Sequence, residues 1–344
     1  MGLRRVVANL VLLGSSLVVV LGGLELSLRA LYPPPARFLY PQEFYDFDPE
    51  IGYRLRPGQT AFTHDRPVQV NSLGLRNDEI VARTTPGRQR VLALGDSQTF
   101  GNGLDLADTW PKQLERMLEA PGRTTWEVVN AGIPGTDTWQ HEILLGRLLG
   151  NLNAHVVVLA LYVNDVVPRY NPRIDEAAAQ TNTWRKRLAY LLKRSAVLTW
   201  IYWREFLPWF GRQSEGERSV EEAVLDGRHD PRAERGWRQV EQSLAAMKVA
   251  CDARHVTFLI AILPRRDQVS GAHPGRAYNE RARAIARARG IEAIDLLEDL
   301  SAAYQVNGNA LFIPWDGHNS AIANRVIATR LASTLVRLGG RASE

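Results

Sequence analysis

The sequence predicts an α/β fold in which a parallel sheet is covered by helices on both faces. Short apolar runs rich in branched residues alternate with longer segments of helical periodicity, a pattern typical of βαβ units. An N-terminal apolar segment, long enough to form one transmembrane helix, precedes this alternating pattern. We expect strands at 90–94, 126–130, 156–161, 256–263 and 292–296, and helices at 110–118, 138–149, 234–254, 278–289 and about 320–338.

The N-terminal segment predicts a membrane anchor. Arg4 and Arg5 precede an apolar run from Val6 to Leu24, which is about 28 Å of helix beside a hydrocarbon core of about 30 Å. We find no small-x-small cleavage site before the prolines at 33–35, so an uncleaved signal anchor is favoured over a removed signal peptide. The positive-inside rule places the N-terminus in the cytoplasm and the rest of the chain outside it.

The remaining chain divides into a lead-in and a large domain. Residues 33–89 are punctuated by Pro and Gly, with a strand-like piece at 68–70 and a turn at 71–74; residues 90–344 form the α/β domain. An insertion at about 168–232 interrupts this domain, and its 184–212 stretch is rich in basic residues and tryptophan. Three interpretations stay open for that stretch: an ordinary helical cap, a lid that binds polysaccharide or acyl chains, or a helix at a membrane surface.

Composition narrows the function classes. The formal net charge is +5, but all except four of the 42 basic residues are arginines, so we give this charge no functional weight and predict no nucleic-acid partner. The single cysteine, Cys251, lies in a predicted helix and is expected to be a core residue. The histidines other than His318 show no ligand spacing, so no metal is predicted.

Polar residues follow the predicted strands at the points where those strands end. Ser97 follows the first strand, the segments 130–135 and 162–165 follow the second and third, and an Asp-x-His pair at 316–318 precedes the last helix. Because the carboxyl ends of parallel strands meet at one edge of a sheet, we expect these residues to converge on one cleft.

The residue types suit acyl chemistry. Ser97 would attack a carbonyl, His318 would accept its proton, and Asp316 would orient the imidazole. On an extended loop residues i and i+2 face the same way, so Asp316 and His318 can touch. The oxyanion of the transition state would be held by the backbone N–H groups of Ser97 and Gly135 and by the amide of Asn164.

Each role has a structural alternative. The serine and the Asp-x-His pair could cap helices, Asn164 could form a turn, and Gly135 could end a Pro-Gly turn. His141, a few residues after the second segment, is an alternative base.

In order and residue type these segments resemble the four motif blocks of the SGNH (GDSL-type) hydrolase superfamily, over about residues 90–338. The resemblance assigns Ser97 as nucleophile, Gly135 and Asn164 as oxyanion donors, and Asp316 and His318 as acid and base. It implies a flavodoxin-like sheet, no cofactor, and esterase, lipase-like or O-acetyl-transferring activity.

The anchor and lead-in resemble a bacterial branch of the superfamily with one membrane helix and an envelope-facing catalytic domain. We therefore expect a single-pass protein of the bacterial inner membrane, with its domain in the periplasm or at the cell exterior. Its substrate would be an ester- or acyl-bearing glycan or lipid of the envelope. The alternative is a non-catalytic envelope assembly or glycan-binding protein that retains the fold.

The chain departs from the superfamily pattern at three places. Gln98 stands where Leu usually follows the serine, and Tyr162 stands where Gly usually precedes the asparagine by two residues. The last block reads Asp-x-His rather than Asp-x-x-His, and the usual spacing would place the acid at Trp315.

Overall fold

The computed structural model describes residues 2–32, 45–81, 87–119, 125–167, 188, 192, 194–201, 215–314 and 317–341. Its helices and strands are, in chain order, α1 (Leu3–Leu31), β1 (Tyr45–Asp48), β2 (Gly52–Leu55), β3 (Thr60–Thr63), β4 (Arg66–Gln69), β5 (Arg88–Gly95), α2 (Ser97–Phe100), α3 (Trp110–Leu118), β6 (Thr125–Gly132), α4 (Thr138–Leu149), β7 (Val156–Leu161), α5 (Ala196–Ile201), α6 (Glu215–Asp226), α7 (Pro231–Asp252), β8 (Thr257–Ile262), α8 (Arg266–Ser270), α9 (Ala277–Ala288), β9 (Glu292–Asp295), α10 (Leu297–Asn307) and α11 (Ala321–Arg341). Short 3₁₀ turns lie at Leu106–Asp108, Val163–Val166 and Gly308–Leu311.

The central sheet has five parallel strands in the order β6-β5-β7-β8-β9. The first strand along the chain therefore lies between the second and the third, as in a flavodoxin-like sheet. In the register, Leu94 of β5 pairs with Ala131 of β6 on one side and with Leu159 of β7 on the other. The predicted parallel α/β fold is confirmed, and each predicted strand lies within two residues of an observed one.

Helices cover both faces of the sheet, because successive strand side chains point to opposite sides. Leu92 and Leu94 join one buried cluster with residues of α4, α7 and α9. Val91 and Ala93 join a second cluster with residues of α3, α10 and α11. The five predicted helices are present, and α10 is one of several additional helices. It starts at Leu297, two residues after the end of β9, and the Leu297 N–H donates to Asp295 Oδ1 at 3.1 Å. Because the connection is so short, the sequence does not show where the strand ends and the helix begins.

The lead-in folds as two antiparallel hairpins, β1–β2 and β3–β4. Ile51 and Leu55 from the first hairpin and Val68 from the second are buried in the same cluster as Leu92. The predicted turn at 71–74 is present, with the Gly74 N–H bonded to the Asn71 carbonyl at 3.0 Å. The described part of the lead-in, residues 45–81, is therefore packed as part of the α/β core.

Contacts group the chain into two compact units. One unit comprises 1–42 and 181–215, and contains α1 and α5; the other comprises 43–180 and 216–344, and contains the sheet. Within the described residues, the Arg4–Leu31 helix is long and apolar enough to cross a bilayer, a property that N-terminal signal sequences share. Most of the 184–212 stretch lies outside the described residues, and the predicted domain boundaries stay predictions.

Candidate active site at the carboxyl edge of the sheet

The serine of the first motif lies at a sharp strand-to-helix turn. β5 ends at Gly95, and Asp96 caps α2 by accepting a hydrogen bond from the Gln98 N–H to Oδ1 at 2.8 Å. Gly95 has φ of +151°, and a Cβ there would lie 2.2 Å from Thr99 Oγ1. Only glycine therefore fits at position 95. The helix begins two residues later, at Ser97.

The turn also packs directly on the neighbouring strand. A Cβ on Gly132, the last residue of β6, would lie 2.3 Å from the Phe100 backbone nitrogen. The absent side chain lets α2 approach the end of β6, so the first two motif blocks lie side by side at one edge of the sheet.

The histidine reaches the serine from the loop before α11. Gly317 adopts φ of +80°, and the Ile313 N–H donates to the His318 carbonyl at 2.8 Å. His318 Nε2 lies 2.8 Å from Ser97 Oγ, and both side chains are half-buried. This is the geometry in which an imidazole can accept the proton of an attacking hydroxyl. The predicted acid, Asp316, lies outside the described residues, as does Trp315.

A second contact joins the serine turn to the histidine loop. The Asn319 N–H donates to Gln98 Oε1 at 3.3 Å, and both residues are buried. The two residues are immediate successors of Ser97 and His318 in the chain. This hydrogen bond therefore helps to fix the distance between the hydroxyl and the imidazole.

Asn164 is held beside the serine turn by Asp96. It lies in the 3₁₀ turn after β7, and its Nδ2 donates to Asp96 Oδ2 at 2.7 Å. Asn164 is buried, and its Oδ1 has no hydrogen-bond partner among the described residues. Because an amide nitrogen carries two hydrogens, one N–H remains for a further acceptor.

Gly135 lies in the loop after β6 and is supported by the lead-in. It has φ of +78°, and a Cβ there would lie 2.9 Å from the Tyr53 hydroxyl. That hydroxyl donates to the Pro134 carbonyl at 2.9 Å. The Pro134–Gly135 peptide is thus fixed by β2, a contact that motif spacing did not indicate.

Arg76 of the lead-in supports the other end of α2. Its buried guanidinium donates to the carbonyls of Phe100 and Gly101, each at 2.7 Å, and to the carbonyl of Leu104. Burial lowers the pKa of Arg76 to about 10, so the side chain is still charged at neutral pH. A cation at the C-terminal end of a helix is stabilising, because the free carbonyls there carry partial negative charge.

Comparison with known proteins fits this geometry. A model of the GDSL-like lipase/acylhydrolase family matches residues 93–325. The chain belongs to this family. This family contains esterases and acylhydrolases. The matched residues include Ser97, Gly135, Asn164 and His318.

Solved structures resemble this chain at low sequence identity. The crystal structure of TesA is 18% identical, with a TM-score of 0.44 over 72% of this chain and 98% of that one. The psychrotrophic esterase EstA from Pseudoalteromonas sp. is 13% identical, with a TM-score of 0.44 over 73% and 99%. The acetyl xylan esterase AlAXEase is 18% identical, with a TM-score of 0.43 over 71% and 98%. Among curated proteins no significant match is found.

Two departures from the GDSL pattern now have a structural description. Gln98 supplies a side-chain acceptor for the histidine loop, as described above, which a leucine does not have. Tyr162 is half-buried just before the Asn164 turn, and desolvation together with the nearby Glu221 and Asp96 carboxylates raises its pKa well above the ordinary value. The phenol is therefore neutral at physiological pH.

Metal chemistry was not predicted for this site. Within the described ranges, no group of three or more His, Cys, Asp or Glu side chains is arranged to hold a metal ion.

Proposed function

We propose that this protein is a serine-dependent ester hydrolase or O-acyltransferase that acts on an acyl-bearing glycan or lipid of the bacterial envelope. The observation that carries the proposal is the 2.8 Å contact between Ser97 Oγ and His318 Nε2 at the carboxyl edge of the sheet. Membership of an acylhydrolase family supports the same chemistry.

In the proposed first half-reaction, Ser97 Oγ attacks the ester carbonyl while its proton passes to His318 Nε2. Asp316 stabilises the imidazolium that forms. The developing oxyanion accepts hydrogen bonds from the backbone N–H groups of Ser97 and Gly135 and from the second N–H of Asn164. Collapse of the tetrahedral intermediate transfers the His318 proton to the departing alcohol and leaves an acyl group on Ser97.

In the second half-reaction an acceptor hydroxyl attacks the acyl-enzyme carbonyl while its proton passes to His318. Collapse of the tetrahedral intermediate breaks the bond between the acyl group and Ser97 Oγ and returns this proton to Ser97. Water as acceptor gives hydrolysis, whereas a sugar or lipid hydroxyl gives acyl transfer. The proposed reaction steps use only groups of the protein. We propose acetyl as the acyl group.

The proposal also covers the location of the protein in the cell. We infer that α1 is a single-pass anchor in the inner membrane, with the catalytic domain in the periplasm or at the cell exterior. Arg4 and Arg5 at the start of the helix and its exposed apolar side chains support this orientation. A reporter that is active only in the periplasm, fused after Glu344, should be active; a reporter active only in the cytoplasm should not.

Covalent labelling of Ser97 tests the function. The full-length protein in detergent or vesicles is treated with a fluorophosphonate probe, and p-nitrophenyl esters of increasing chain length are assayed alongside. We expect labelling and turnover in the wild type and neither in Ser97→Ala. Ser320→Ala is the matched control, because Ser320 is also half-buried near this edge and its Oγ accepts a hydrogen bond from the Ile322 N–H at 3.2 Å.

Failure of the wild type to react with the probe or with any ester would favour the alternative of a non-catalytic envelope binding protein. If labelling persists in Ser97→Ala, a different nucleophile is present. Adding a sugar acceptor during turnover separates the two reactions, since an acyltransferase then forms an acylated sugar at the expense of free acid.

A further inference from the structure

The C-terminal part of α1 is bonded to a segment far along the chain through one carboxylate. Glu25 accepts hydrogen bonds from Ser195 Oγ at 2.7 Å, from the Ala196 N–H at 2.9 Å and from the Val197 N–H at 3.0 Å. The adjacent Arg29 pairs with Glu25 at 2.7 Å and donates to the Arg194 carbonyl, also at 2.7 Å. These contacts lie within the first contact unit of the chain.

The carboxylate acts as a helix cap supplied by another segment. The first N–H groups of any helix lack partners within that helix, and a negative charge at that end is stabilising. Glu25 satisfies two such groups of α5 and also bonds the serine that precedes it. Because a helix of six residues is marginal by itself, the position of α5 beside α1 depends on this cap.

The same contacts fix the depth of α5 relative to the apolar helix. Glu25 directly follows the apolar run from Val6 to Leu24, whose helical length of about 28 Å matches a hydrocarbon core of about 30 Å. A helix of six residues extends only about 9 Å. The N-terminus of α5 therefore lies at the level where the hydrocarbon ends, and the length of the helix is only slightly greater than the depth of one headgroup layer, about 5–8 Å.

The exposed side chains of α5 suit that layer. Ala196 and Thr199 are buried, whereas Leu198 is 42% exposed and Trp200 is 38% exposed. Tryptophan is favoured at the membrane–water interface, and arginines at this level can reach lipid phosphates. Arg29 and Arg194 are both exposed here.

We propose that 194–201 is a second membrane contact, in which α5 lies in the headgroup layer beside α1 with Leu198 and Trp200 against lipid. The occupant of this surface is the bilayer, because the carboxylate that holds the start of α5 directly follows the exposed apolar run of α1. The inference rests on the proposed spanning of α1. It goes beyond that proposal by assigning a role to part of the insertion, which the anchor alone does not require.

Site-directed spin labelling of the full-length protein tests this inference. Cys251 is the only cysteine and is buried, so a Cys251→Ser background accepts single labels. Leu198→Cys is the test position. Val19→Cys, 72% exposed near the middle of the apolar run, reports the membrane interior, and Val306→Cys, 84% exposed on α10, reports the other unit. Each label is measured in phosphatidylethanolamine–phosphatidylglycerol vesicles for collisions with oxygen, which partitions into lipid, and with a water-soluble nickel chelate.

We expect oxygen collisions to dominate strongly at 19, to exceed nickel collisions by a smaller ratio at 198, and to fall below them at 306. Adding Glu25→Ala should reverse the ratio at 198 while leaving the ratio at 19 unchanged. A label at 198 that behaves as aqueous while 19 is in lipid would overturn the second contact but not the anchor. An aqueous label at 19 would overturn the anchor and, with it, this inference. A ratio at 198 that Glu25→Ala does not change would overturn the assigned role of the cap.

Discussion

Two histidines in the α/β domain have similar partners and opposite surroundings. His318 Nε2 lies 2.8 Å from Ser97 Oγ in a half-buried site, whereas His141 Nε2 lies 2.8 Å from Thr136 Oγ1 and is fully buried. His141 also has a carboxyl nearby, since its Nδ1 is 3.8 Å from Asp165 Oδ1. The core therefore brings together an imidazole, a hydroxyl and an acid, and the candidate active site brings together an imidazole and a hydroxyl.

Burial decides what each group can do. Desolvation lowers the pKa of His141 to about 3, against a smaller opposing contribution from the Gly95 backbone. The buried imidazole therefore stays neutral while it holds α4 to the preceding loop. A hydroxyl and an imidazole at hydrogen-bond distance do not by themselves make a catalytic pair, because substrate must also reach them. The alternative assignment of His141 as base is disfavoured on this ground.

Alanine substitutions at the two histidines should affect different properties, ester turnover at His318 and the free energy of unfolding at His141. His318→Ala should lower ester turnover by about 10⁴–10⁶-fold with little change in melting temperature, since a half-buried loop side chain is removed. Ser97→Ala should be about as damaging, and the double variant hardly worse. His141→Ala should instead lower the unfolding free energy by about 2–4 kcal/mol and leave the turnover of the folded fraction within about tenfold. Denaturation curves for all four variants, with ester turnover normalised to the folded fraction that the curves give, measure both effects, and equal turnover losses at 141 and 318 would contradict the comparison.

Substitution of the proposed acid, Asp316, is expected to give the next-largest effect. If Asp316 orients His318, Asp316→Asn should keep the fold but lower turnover by up to about 10⁴-fold, because an amide can hold the wrong imidazole tautomer. If Asp316 only caps α11, asparagine is itself a good cap, and both stability and turnover should stay nearly unchanged. Melting temperature measured together with ester turnover separates the two outcomes. A stable and fully active Asp316→Asn would reduce the proposed triad to a Ser97–His318 dyad.

Asn164 should have a smaller effect confined to the transition state. Asn164→Ala is expected to lower kcat by about 10²–10³-fold with little change in KM, because the amide would act mainly on the oxyanion. Asn151→Ala, which removes an exposed amide bonded to the Arg147 carbonyl, is the control and should leave kcat unchanged. Full kcat in Asn164→Ala would move the oxyanion role to another group.

The strands and the approach of His318 to Ser97 could be predicted because their signals are local. Apolar runs mark the parallel strands, and the turn residues that follow them mark one edge of the sheet. The supporting contacts could not be predicted, because they join distant positions. Asp96 and Asn164 are 68 residues apart, and Gln98 and Asn319 are 221 residues apart. Arg76 is similar, since nothing in its own neighbourhood indicates that its guanidinium is buried at the end of α2.

The buried His141 and Asp165 side chains make the stability of the protein depend on pH in opposite ways. Burial, with the nearby Asp96 carboxylate, raises the pKa of Asp165 well above its ordinary value. The stability it contributes is fully present below the unfolded pKa of about 3.9 and is lost as pH rises through the folded pKa. His141 has the opposite sign: its lowered pKa gives a contribution present above about pH 6.5 and lost as pH falls towards 3.

Asp165→Asn removes one of these two opposing contributions. Between the folded pKa of Asp165 and about pH 4, the unfolding free energy of the variant should fall more steeply on acidification than that of the wild type, by up to about 1.4 kcal/mol per pH unit. Urea denaturation at a series of pH values measures this difference in slope. Parallel curves for the two proteins over that range would mean that Asp165 is ionised in the core.

The smallest expected effect concerns the link between the serine turn and the histidine loop. Gln98→Leu places the usual family residue after the serine but removes the acceptor for the Asn319 N–H at 3.3 Å. One neutral hydrogen bond contributes about 0.5–1.5 kcal/mol, so we expect kcat to fall by about 3–10-fold with KM unchanged. Gln268→Leu is the control, because it removes a buried glutamine bonded to the Gly275 carbonyl and to Asn279. Because the Gln268 Oε1 also accepts from the Arg265 N–H, Gln268→Leu should lower stability by more than Gln98→Leu and leave kcat alone. If Gln98→Leu lowers stability but not kcat, the contact only supports the fold, and the Ser97–His318 distance is set by the backbone of the two loops.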